Sequence, residues 1–97
     1  MASVQIKNSY ADKSPSEVYA AAKQAIVDAG YSVWKTRDLA MLVMGTGTEE
    51  NQEVRLNAVV SMLDSSATIS AESDDLGESV LESVAGKVAA EMDKLLA

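Results

Sequence analysis

Ser32-Val33-Trp34-Lys35 has the S-x-x-K spacing of serine acylases, in which a lysine amine one helical turn away activates a serine hydroxyl. The surrounding residues are strand formers, and positions three apart on a regular strand point to opposite faces, so the amine is expected out of reach. Ser83 and Lys87 do share a helix face at i, i+4, but no orienting third group and no oxyanion loop accompanies them. Gly45-Thr46-Gly47-Thr48 has the glycine content of a phosphate loop. No lysine follows it, and the next residues, Glu49 and Glu50, oppose an anion. Two glycines so spaced mark a bulge, or a place where a helix or a partner backbone comes close.

Carboxylates gather at Glu49, Glu50 and Glu53 and again at Glu72, Asp74, Asp75 and Glu78, the oxygen donors that a hard divalent cation prefers. Neither run has the Asp/Asn alternation and central glycine of a calcium loop. The second is accounted for by favourable charge at a helix N-terminus. Neither metal nor cofactor is expected. The chain has no histidine, the group that titrates near neutrality, and no cysteine for a thiolate nucleophile, a thiolate metal site or a disulfide framework. A pair of carboxylates working as acid and base needs a deep cleft, which a chain of 97 residues rarely supplies. No catalytic residue is assigned, and an enzyme is not expected.

The elements that would position these groups follow from periodicity. Val4, Ile6 and Tyr10 alternate with polar residues, which reads as a strand with one buried face. Ser14-Pro15-Ser16-Glu17 places Ser at an N-cap, Pro at N1 and Glu at N3, and Gly30 sits where a helix C-terminus wants a left-handed residue. Beyond it, residues 31–36 and 40–48 read as a hairpin turning at Arg37-Asp38. Val54, Leu56, Ala58, Val60 and Met62 alternate along a fourth strand, and Ala67, Ile69 and Ala71 along a fifth. Asp75 at N-cap with Glu78 at N3 opens a second helix, whose stripe includes Leu81, Val84, Val88 and Met92. The expected fold is α+β, in the order β-α-β-β-β-β-α: one domain over 1–97, with two helices on one face of a five-stranded antiparallel sheet in a helix-grip-like arrangement. The first strand should pair with the fifth.

Eight basic against fifteen acidic residues give a net charge of −7, which disfavours nucleic acid and anionic lipid because both are bound largely through Lys and Arg. No stretch is apolar over the length of a membrane span, so a cytoplasmic protein is the default, or a cell-envelope protein if an export signal has been removed.

Residues 40–44 are apolar on both strand parities, and Trp34 and Val59 fall opposite the residues assigned to the core. A sheet covered on one side does not need that excess. It predicts an interaction surface including Trp34, Met41, Val43 and Val59, with a second copy or another protein as partner. Alternatively, Met44, Leu56, Met62, Val84, Val88 and Met92 line an apolar ligand site between the second helix and the sheet. A third reading is a divalent-cation-dependent enzyme using Glu49, Glu50 and Glu53.

The run Ser14-Pro15-Ser16-Glu17-Val18-Tyr19, followed by Ala29-Gly30-Tyr31 leading into a hairpin and two more strands, resembles small domains of bacterial envelope lipoproteins. These include the helix-grip domains of the C component of the outer-membrane barrel-assembly machine. The resemblance implies a non-catalytic accessory module of the cell envelope and carries no catalytic residue with it.

Overall fold

The alternation at the start of the chain forms strand β1, Ala2–Ser9, with every second side chain turned toward the core. The computed structural model describes residues 2–97. Helix α1, Pro15–Asp28, begins at the expected cap: the Ser14 hydroxyl accepts from the Glu17 amide at 3.2 Å and bonds the Glu17 carboxylate, also at 3.2 Å. It ends on Gly30, whose φ of +96° lets its own amide reach the Val27 carbonyl while the Tyr31 amide reaches Ile26. This double bond pattern stops a helix and turns the chain sharply.

Strand β2, Ser32–Arg37, passes through a short 3-10 turn at Asp38–Ala40 into β3, Leu42–Glu49; β4, Gln52–Val60, and β5, Ser66–Ser73, complete a meander. All neighbours are antiparallel, in the order β1-β5-β4-β3-β2, so β1 closes onto β5 as expected. Helix α2, Glu78–Leu96, lies over β1 and β5, while α1 lies over the other strands and against α2, so both helices share one face. The fold is α+β, with five antiparallel strands and two helices in the expected order.

The second helix starts later than its sequence signature suggests. Its N-cap is Gly77, not Asp75, and no side chain bonds the first turn. The amides of Asp75 and Leu76 bond instead to the buried Ser73 hydroxyl, which itself donates to the Glu53 carbonyl at 2.8 Å. Burial of Leu76 in the core draws the chain past the acidic residues before the helix can begin.

The core is aliphatic: Val18 and Ile26 from α1, Leu81, Val84, Val88 and Met92 from α2, and Val43, Val54, Leu56 and Ile69 from the sheet are all essentially without solvent contact. The aromatics work at its margin. Each tyrosine hydroxyl donates to a carboxylate from another part of the chain: Tyr10 to Asp93 at 2.7 Å, Tyr19 to Asp38 at 2.7 Å, and Tyr31 to Glu49 at 2.6 Å. Burial, and then these bonds to anions, push Tyr10 and Tyr19 up to about 12.

A raised value means that the folded chain holds a proton that the unfolded chain releases at about 10, so the associated stability is intact below pH 10 and lost as pH rises through 12. The urea midpoint is therefore expected to fall across that interval, and to fall less in Tyr19→Phe. A tyrosinate titration of the folded protein with every midpoint near 10 would contradict this.

Candidate interaction surface

The face of the sheet away from the helices is covered by no other element among the described residues. Its side chains form registered rows. Lys7, Thr68, Val59, Leu42 and Arg37 lie side by side across the five strands, and Gln5, Ser70, Asn57, Met44 and Lys35 form the next row. Toward β1 the face is polar. On β3 and β4 it carries the apolar Leu42, Met44 and Val59, flanked on β2 by Arg37 and Lys35.

A β-bulge between Val33 and Lys35 makes Trp34 an extra residue on an edge strand. Its indole is 60% exposed, with the Lys35 ammonium 6.0 Å from the ring centre. The bulge also corrects the strand argument applied to Ser32 and Lys35. By register both residues fall on the outer face, opposite Thr46 and Met44, and both are exposed on an open surface. An activated hydroxyl there lacks the enclosed, water-poor setting that makes such a pair effective.

The four positions expected at this surface divide. Trp34 and Val59 lie exposed on or at the outer face. Met41 is half-buried at the junction between the 3-10 turn and β3, in left-handed conformation at φ 50°, and packs against the core. Val43 is wholly buried beneath the helices. The alternation of β3 is one residue out of phase with the expectation, so Leu42 and Met44 take the outer places assigned to Met41 and Val43.

Gly45 and Gly47 explain the phase. A Cβ on Gly45 would press on the Ile26 side chain and the Ser32 carbonyl, and one on Gly47 would meet the Tyr31 ring. The glycines are the inward residues, which turns Val43 inward with them. Of the two readings of this segment, close approach holds, made by α1 and by Tyr31.

The apolar lining expected for a carrier does not assemble. Leu56, Val84, Val88 and Met92 are packed in the core, Met44 is on the opposite side of the sheet, and Met62 is 61% exposed in the β4–β5 turn because β4 ends at Val60. The carboxylates of the proposed cation site are also divided. Glu49 accepts from Lys87 at 2.7 Å and from Tyr31, bonds that hold its carboxyl below the usual range. Glu53 pairs with Arg55, which also reaches Glu72 and Asp74, while Glu50 occupies the β3–β4 turn. Lys87, raised by the same Glu49 bond and then by Tyr31, is tied to β3 rather than free beside Ser83.

Charge is unevenly spread. Outer-face positions carry Lys7, Lys35, Arg37 and Arg55 against Glu53 and Glu72, whereas the helices carry Glu17, Asp28, Glu78, Glu82, Glu91 and Asp93 against Lys23, Lys87 and Lys94. The helix layer holds one further feature, a groove of about 370 Å³ between α1 and the end of α2, lined by Glu17, Ala20, Ala21, Gln24, Leu95 and Leu96. Among the described residues no helix is long and apolar enough to cross a membrane.

No family model matches the chain, and no curated protein matches it by sequence. Among solved structures it is similar to a DUF4468 family protein from Bacteroides ovatus, with a TM-score of 0.55 and 8% identity over 96% of this chain and 80% of that one. At that identity the likeness speaks to the fold alone.

Proposed function

We propose that this protein is a non-catalytic interaction module that associates with a second copy through its outer sheet face. The observation that carries the reading is the apolar sector of that face, with Trp34 exposed on a bulge, Val59 exposed on β4, and Leu42 and Met44 half-buried on β3. Exposed aliphatic side chains grouped around a tryptophan are the composition of an interface centre, and leaving them in water costs free energy that docking recovers. The polar groups with catalytic potential lend support from the other direction: Glu49, Tyr31 and Lys87 satisfy one another as a latch between α2 and the sheet.

Light scattering over a concentration series tests this. Wild type is expected to gain mass with concentration. Trp34→Glu is expected to weaken association by at least ~30-fold, the effect of losing a central anchor worth about 2 kcal/mol. Its unfolding free energy from urea titration should stay within ~0.5 kcal/mol of wild type, because the indole contributes little to the monomer's core. A wild type that remains monomeric throughout would overturn the proposal.

A further inference from the structure

We infer that copies stack front to back, with Trp34 of one copy entering the groove between α1 and the end of α2 of the next. The inference rests on self-association through the outer face and adds the surface which that face meets. Charge selects the arrangement. Face-to-face stacking sets one outer face, with Lys7 at one edge and Lys35 and Arg37 at the other, against the same cations of a second copy, and none of these three has a carboxylate in ion-pair range among the described residues. Front-to-back stacking sets them against the acidic helix layer instead.

Shape and chemistry point the same way. The groove offers apolar walls from Ala20, Ala21, Leu95 and Leu96, and Leu95 is 44% exposed despite its size. Glu17 stands at its border. The groove is shallow and open, so an indole can lie along its apolar walls, and the cation carried beside it, Lys35, then comes near Glu17. Two different surfaces of one chain meeting in this way make a heterologous contact, which extends into open stacks unless its rotation closes a ring.

A complementation experiment tests this geometry. Ala20→Arg fills the groove and offsets the charge of Glu17 from an exposed helix position, and Gln24→Arg serves as a second groove variant; melts followed by circular dichroism confirm that each folds. Trp34→Glu alone and Ala20→Arg alone are each expected to remain monomeric at concentrations where wild type grows beyond a dimer. Their equimolar mixture is expected to form dimers and stop there, because the intact Trp34 of one variant fits the intact groove of the other. Groove variants that associate like wild type, or a mixture that stays monomeric, overturn the front-to-back contact while leaving association through the outer face standing. A wild type that never associates removes both.

Discussion

Val43→Asp is expected to leave the chain largely unfolded at room temperature, while Met44→Asp, one residue further along the same strand, folds with a urea midpoint near that of wild type. Val43 has no solvent contact and sits among the aliphatic side chains between sheet and helices. Its replacement forfeits ~1.5–3 kcal/mol of apolar burial. It also places a carboxylate where the core residues offer no cation, at a penalty of several kcal/mol even after relaxation. Together these approach the roughly 5–15 kcal/mol that holds a small domain folded. Met44 faces the open side, between Asn57 and Lys35 in the register, so the same substitution there costs about 1 kcal/mol in strand preference and lost contact. Urea titrations followed by circular dichroism separate the two variants. The reverse pattern would put β3 in the opposite phase and take Met44 off the proposed docking surface.

That contrast shows where the sequence was informative. Where alternation is made by side chains, as in β1 and along β4 from Val54 to Val60, the buried face was legible residue by residue. The capping box at Ser14 and the left-handed Gly30 fixed α1 within a residue, because both are local hydrogen-bond requirements. Pairing of β1 with β5 followed from the meander. In β3 the inward positions include two glycines, which give no hydrophobic signal, and the run Ala40 to Met44 is apolar on both parities. Nothing in the run itself chose a phase; the choice is made by Ile26 and Tyr31, which occupy the space over the glycines.

The remaining errors have the same non-local origin. The bulge that lifts Trp34 and returns Ser32 and Lys35 to one face is a feature of strand pairing, and no turn residue announces it. Met62 continues the alternation of β4, but the chain has already turned, with Ser65 left-handed and the Ser61 amide bonded to the Ser66 carbonyl. Asp75 and Glu78 have the spacing of a cap, yet the Ser73 hydroxyl takes the amides on offer. The exposed sector was visible as an excess of apolar residues. Which of them face outward depended on contacts across the core.

Gly47→Ala puts that dependence to a direct test and should lower the melting temperature, although alanine ordinarily favours a strand over glycine by ~0.5–1 kcal/mol. The added Cβ meets the Tyr31 ring near its base rather than at a flexible tip, and that ring is buried and held by Glu49 and Lys87. Either the ring shifts and strains its bonds to both partners, or β3 moves away from it and loosens its pairing with β4 at Val54. Overpacking of this kind costs ~1–3 kcal/mol, so a net loss of about 1–2 kcal/mol and a fall of ~4–8 °C for each kcal/mol are expected for a domain of this size. The partner variant Tyr31→Ala is destabilising on its own through lost burial and the broken latch. In that background, however, the methyl at position 47 has space, and Gly47→Ala should become neutral or mildly stabilising, a coupling of ~1–3 kcal/mol in the double-mutant cycle. Additive losses would mean that something other than the Tyr31 ring keeps a side chain away from this position, and would remove the physical reason for placing the glycines, and Val43 with them, on the inner face.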